Sequence, residues 1–154
     1  MAERGDPPAA LPRGTVTLVF ADVEGSTQLL HALGERYGPI RTRLREIVRA
    51  ISTRWNGREV DWAGDGAFLA FSGARDAVAA AVDLQRAIGA EVWPPEGVVR
   101  VRIGIHTGEP ELGDEGYVGL DVHVAARICG AGHGDQVVVS LLTREVAGER
   151  SVPG

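Results

Sequence analysis

The sequence contains no lysine: all 16 of its basic residues are arginine. Any cationic side chain that touches a phosphate must therefore use the planar guanidinium fork. Cysteine occurs once, at Cys129, which excludes an internal disulfide and suits a reducing cytoplasm. No apolar run approaches the roughly 20 residues of a membrane span, and no signal peptide is visible, so neither membrane nor export is expected. Nor is there a positive excess. The net charge of −5 argues against non-specific nucleic-acid binding and leaves room for an acidic cation site.

What is present is enough for one domain. The 154 residues can bury a sizeable core. Residues 1–14 are rich in Pro, Ala and Gly and read as a flexible leader, and residues 148–154 read as a polar tail. The domain proper is expected over 15–147.

The chain is organised around Val16 to Thr27. Val16, Leu18 and Phe20 alternate with Thr17, Val19 and Ala21 in a run β-branched and aromatic enough for a buried strand. The run ends on one carboxylate, Asp22, and a small-residue turn, Gly25-Ser26-Thr27. Ser26 and Thr27 are good N-cap residues, and an amphipathic pattern follows them. A helix N-terminus suits phosphate, and a carboxylate beside it suits a hard cation such as Mg²⁺. On this stretch alone, Asp22 serves equally well as a cap for the turn.

Beyond it, 28–55 reads as helix, interrupted near Gly38-Pro39. Arg41, Arg43, Arg45 and Arg49 fall mainly off its apolar face and read as a solvated surface. Arg58–Trp62 and Ala67–Phe71 read as strands joined at Gly64-Asp65-Gly66, a hairpin signal. An Ala-rich helix over 74–88, a strand over 98–107, a polar excursion over 109–116, a helix over 119–130, a strand over 136–140 and a helix from 141 complete the pattern. The order β-α-β-β-α-β is the split βαβ arrangement, in which the first and third strands are antiparallel neighbours. That predicts a ferredoxin-like α+β fold with helices on one face, extended by an extra helix and strand at the C-terminal end. It also brings Asp22 and Asp65 to one edge of the sheet. Two carboxylates brought together repel, and a divalent cation gives the pairing a reason.

The segments FADVEGST, AGDGAFLAF, VRIGIHTG and YVGLDVHVAARI occur in that order and at suitable spacing. Together they resemble the catalytic domain of the class III nucleotidyl cyclases, over roughly Thr15 to Val146. The resemblance implies two ions, Mg²⁺ or Mn²⁺, held by Asp22, Asp65 and the Val23 carbonyl. It implies phosphate contacts from Gly25, Ser26, Thr27 and Arg102, and catalytic roles for Arg127 and His123. The reaction implied is attack of the ribose 3′-hydroxyl on the α-phosphate of ATP or GTP, with release of pyrophosphate. The active sites of the family form between two subunits, which implies a homodimer.

Some positions depart from the family pattern. The two that read the purine hold Asp61 and Gly116. A carboxylate can accept from guanine N1–H and its amino group but cannot donate to adenine N1, so Asp61 favours guanine. Gly116 brings no side chain. His123 stands where the family has an asparagine that orients the ribose; it also reads as a surface histidine at a dimer seam. His106 reads as structural. The family carries one further phosphate-contacting lysine, and the chain has none. The expected function is an adenylate or guanylate cyclase with weak activity. The alternative is an inactive cyclase-like dimerisation and regulatory domain.

Overall fold

The computed structural model describes residues 10–148; residues 1–9 of the expected leader and 149–154 of the expected tail lie outside the described residues. Strand β1 (Val16–Val23) leads into helix α1 (Ser26–Leu33), a 3₁₀ turn (Gly34–Arg36) and helix α2 (Tyr37–Arg54). Strands β2 (Arg58–Ala63) and β3 (Gly66–Phe71) form a hairpin, followed by α3 (Ala74–Ala90) and β4 (Val101–Gly108). A small hairpin β5 (Glu111–Gly113) and β6 (Gly116–Val118), then α4 (Leu120–Ala131), β7 (Val137–Val139) and α5 (Leu141–Ala147) complete it.

The main sheet has the order β2-β3-β1-β4-β7, with β7 parallel to β4 and the other pairs antiparallel. This is the expected α+β arrangement, with β1 at the centre. Alternation along β1 and β4 sorts the side chains. Val19, Ala21, Val23, Val101, Ile103 and Ile105 enter the main core with α2 and α3. Val16, Leu18 and Phe20 face the opposite side, where Ala125 of α4 and Tyr117 of the small hairpin cover them. Each fully buried aliphatic side chain contributes about 1.5–3 kcal/mol, so this alternation fixes the register of β1.

Helix α4 lies very close to β4. A Cβ on Gly104 would come 2.2 Å from the backbone nitrogen of Cys129, so only glycine admits the contact. Part of the expected leader is packed on the same side. Leu11 joins the second cluster, and the Tyr117 hydroxyl donates to the Pro12 carbonyl.

Three local expectations change. The helical break falls at Gly34, where the backbone turns left-handed (φ 55) and α1 ends, not at Gly38-Pro39. Pro39 sits in the first turn of α2, where its missing N–H costs nothing. The polar excursion 109–116 forms most of the β5–β6 hairpin, which three-residue strands conceal from periodicity. The arginines of α2 are not simply solvated: Arg45 donates to the Gly64 carbonyl (2.9 Å) and Arg49 to Glu59 (2.7 and 3.1 Å). Among the described residues, no helix is long and apolar enough to cross a membrane.

Candidate active site

Asp22 stands at the end of β1 on the face away from the main core. Asp65 stands in the two-residue turn of the β2–β3 hairpin, whose first turn residue, Gly64, has a left-handed φ of 62. The antiparallel β1–β3 pairing ends at Ala21 and Ala67, which sets the turn beside Asp22. A Cβ on Gly66 would lie 3.5 Å from that of Asp22. Asp22, Asp61 and Asp65 line one cavity of about 270 Å³. Phe20 and Phe68, stacked at 4.3 Å between centroids, form an aromatic wall of it.

A second groove, of about 520 Å³, opens on the other side of Asp65 and is lined by Ser26, Thr27, Tyr37 and Arg41 among others. Here the N-cap of α1 is Gly25 in a left-handed conformation (φ 66), not Ser26 or Thr27, which occupy the first turn. No side chain caps this helix, so its first N–H groups are left to an external acceptor. The turn-capping reading of Asp22 is thereby removed. Its carboxylate instead accepts from Arg102, at 2.6 and 3.3 Å. The Asp22 carboxylate holds the Arg102 guanidinium above its ordinary pKa.

Val23 closes β1 opposite Val101, with its side chain in the core, and follows Asp22 without lining the cavity itself. Asp61 is exposed on β2 and its carboxylate accepts the Trp62 backbone N–H (2.8 Å). Gly116 begins β6 at φ 113, a conformation that side chains rarely adopt.

His123 and Arg127 lie one turn apart on the exposed face of α4. Neither lines the cavity that holds the aspartates. Three carboxylates thus line the cavity, the open helix terminus lines the groove on the other side of Asp65, and Arg127 and His123 line neither. His106 is buried and structural: Nε2 faces the Asp121 carboxylate (2.8 Å) and Nδ1 the Ser140 hydroxyl (3.1 Å). It fastens α4 and α5 to β4.

Two contacts were not legible as site features. The Tyr37 hydroxyl donates to Asp65. Arg45, besides its bond to Gly64, lies 4.8 Å over the Trp62 ring. The four-residue spacing of Tyr37, Arg41, Arg45 and Arg49 is the signal that could have found this stripe. Burial first, and then the Asp65 carboxylate, push the Tyr37 hydroxyl above its ordinary pKa, so it remains a donor.

Among the described residues, no cluster of three or more histidine, cysteine or acidic side chains is assembled for a metal. Two carboxylates beside an uncapped helix N-terminus nevertheless fit Mg²⁺ or Mn²⁺, which take hard oxygen ligands and commonly combine one or two carboxylates with substrate phosphates.

The split βαββαβ sheet thus carries two carboxylates beside an open helix terminus. Residues 9–151 match the adenylate and guanylate cyclase catalytic domain, and the chain belongs to that family. An uncharacterised protein of Mycobacterium tuberculosis is 40% identical over 137 residues, covering 88% of this chain. The chain spans 46% of that relative's length. Among solved structures, an adenylate cyclase of Trypanosoma brucei in its monomeric state is similar with a TM-score of 0.83 at 24% identity, covering 96% of this chain and 82% of that one. The guanylate cyclase domain of a Catenaria anguillulae protein, in complex with GTP, has a TM-score of 0.78 at 22% identity, with 86% and 81% covered. At these identities the two structures establish a shared fold.

Proposed function

We propose that this chain is a cyclase domain that converts a purine nucleoside triphosphate to its 3′,5′-cyclic monophosphate and pyrophosphate, acting as a homodimer. The observation that carries the reading is the convergence of Asp22 and Asp65 beside the uncapped α1 terminus, with Arg127 outside that cavity. In the reaction the ribose 3′-oxygen bonds to the α-phosphorus, the bond to the pyrophosphate oxygen breaks, and the hydroxyl proton leaves to solvent or phosphate. Asp22, Asp65 and the Val23 carbonyl would hold divalent cations. When bound, such ions supply Lewis-acid activation of the hydroxyl and neutralise charge on the leaving phosphates.

The chain's own groups do the rest. The amides of Gly25, Ser26 and Thr27 hold phosphate oxygens, and Arg102 adds a forked donor to them. Arg127 of the second subunit stabilises charge on the transferring phosphoryl group, a role worth about 10³-fold or more. His123 offers one donor to orient the ribose. A GTP complex of a like-folded domain is consistent with a purine triphosphate here.

The test is conversion of ATP and GTP by the purified chain with Mn²⁺ or Mg²⁺. Cyclic nucleotide should form with the parent and fall to background with Asp22→Ala or Asp65→Ala. Mixing inactive Asp65→Ala and Arg127→Ala proteins should return about a quarter of the parent rate, because half of the dimers are mixed and each keeps one intact site. Failure to recover activity in proven mixed dimers would rule out shared sites. A second reading, a triphosphate-binding domain without turnover, is favoured by Gly116, which brings no side chain to a base-reading position and whose backbone would strain one. It predicts Mn²⁺-dependent triphosphate binding with no product.

A further inference from the structure

Helix α2 touches the hairpin that carries Asp65 at three levels. At the tip, the Tyr37 hydroxyl donates to Asp65 Oδ2. At the turn, Arg45 donates to the Gly64 carbonyl at 2.9 Å and covers the Trp62 ring. Further back, Arg49 forks onto Glu59 at 2.7 and 3.1 Å, and Glu59 also accepts from the Trp62 indole at 2.7 Å. The three residues share one stripe of the helix, spaced by four and eight positions. A solvated arginine surface does not require such contacts.

Tyr37 is the rigid member of the stripe. It is 5% exposed and packed in the main core with Ile40 and Leu33, so its ring has little freedom. Its hydroxyl is therefore a fixed point. Among the described residues it is the only hydrogen-bond partner of the Asp65 carboxylate. A carboxylate has about four lone-pair positions, and this bond takes one of them on Oδ2. Oδ1 is left for a further ligand, and the rotation of the carboxylate is restrained.

We propose that Tyr37 is a positioning residue that holds Asp65 ready for a divalent cation, with Arg45 keeping the turn beneath it in place. The inference rests on the reading of Asp65 as a cation ligand. A carboxylate at the tip of a two-residue turn has only its own torsions to direct it. The Tyr37 bond removes that freedom before the cation arrives. Outer-shell partners of this kind typically change metal affinity about 10- to 100-fold.

The experiment is a Mn²⁺ titration of the whole chain, read by calorimetry or by the spin resonance of free Mn²⁺, with a non-hydrolysable triphosphate present. Parent, Tyr37→Phe, Asp65→Asn and the double variant are compared, with metal-free thermal unfolding measured in parallel. Tyr37→Phe should weaken Mn²⁺ binding about tenfold or more. In the Asp65→Asn background it should add nothing, because the two changes remove one coupled contact. A purely structural tyrosine would lower the unfolding temperature and leave the Mn²⁺ affinity within twofold of the parent, which would overturn the proposal. If Tyr37→Phe does not fold, Arg45→Ala decides. It should weaken Mn²⁺ binding several-fold through the loosened turn, and an unchanged affinity would count against positioning by α2. If Asp65→Asn binds Mn²⁺ as the parent does, the cation-site reading fails and takes this one with it. If Asp65→Asn loses binding and Tyr37→Phe does not, only the inference about Tyr37 fails.

Discussion

Arg102 grips Asp22 with both arms of its guanidinium, Nε at 2.6 Å from Oδ1 and Nη2 at 3.3 Å from Oδ2. The two residues are direct partners across β1 and β4, so the sheet register itself delivers the fork to the acid. About a third of each side chain is exposed. The pair therefore compensates the charge of Asp22 without sealing it from solvent, and a cation or a phosphate can compete for either partner. In the proposed function Arg102 turns from the acid toward phosphate when the cation takes its place.

Removing the fork separates these roles. Arg102→Ala should cost at most about 1 kcal/mol of metal-free stability, because the pair is partly solvated. That corresponds to a fall of roughly 2–4 °C in Tm for a domain of this size. Mn²⁺ alone should bind at least as tightly as to the parent, since a competing cation is gone. A triphosphate should bind about tenfold or more weakly, the loss expected for a charge-assisted hydrogen bond. Calorimetry with each ligand in turn checks the split. Loss of Mn²⁺ binding together with triphosphate binding would mean that Arg102 shapes the site and does not compete for it.

Cys129 reports whether α4 stays closed over β4. Burial, followed by the nearby Asp22 charge, pushes its thiol up to about 11 from an ordinary value of 9.0. The folded state therefore holds the thiol proton more tightly than the unfolded chain. This contributes stability that is present below about pH 9 and is lost as pH rises toward 11. Alkylation at pH 8 should be slower than for an exposed cysteine by at least about a hundredfold, since the thiolate is scarce and only 3% of the residue is accessible. Labelling rates read by mass spectrometry test this. Labelling at the rate of an unfolded control would show that α4, with Arg127 and His123, lifts readily from the sheet.

The antiparallel pairing of β1 with β3, the central position of β1 and the arrival of Asp22 beside the Asp65 turn are legible, because alternation and hairpin spacing are local signals that the topology then combines. The expected cap shifts: α1 begins at Ser26, two residues before the expected start, and Gly25 takes the cap because its backbone can turn left-handed there. Side-chain partners were less legible. Arg45 and Arg49 look like any exposed helical arginine until the hairpin lies against them, and Tyr37 looks like a core residue. Arg102 and Asp22 are 80 residues apart, and only the β1–β4 register makes them neighbours. His123 and Arg127 share an exposed helix face, as their four-residue spacing requires.

The last prediction concerns the base. Asp61 sits at the cavity edge beside the Phe20–Phe68 stack, and one of its oxygens already accepts the Trp62 N–H. The other oxygen remains for a ligand. Guanine offers it N1–H or the amino group, whereas adenine N1 sets an acceptor against it. One charge-assisted bond contributes about 1.5–3 kcal/mol, tenfold or more in preference. Gly116 supplies no second contact, and its φ of 113 means that a side chain placed there would strain the β5–β6 hairpin. The informative change is therefore Asp61→Lys alone. The parent should bind GTP at least as well as ATP, and Asp61→Lys should move the preference toward ATP by about tenfold, since a lysine donates to adenine N1 and opposes guanine N1–H. Competition between the two triphosphates, measured as displacement of a fluorescent analogue in the presence of Mn²⁺, gives the ratio directly. A strong ATP preference in the parent that Asp61→Lys leaves unchanged would show that the base is read by other groups.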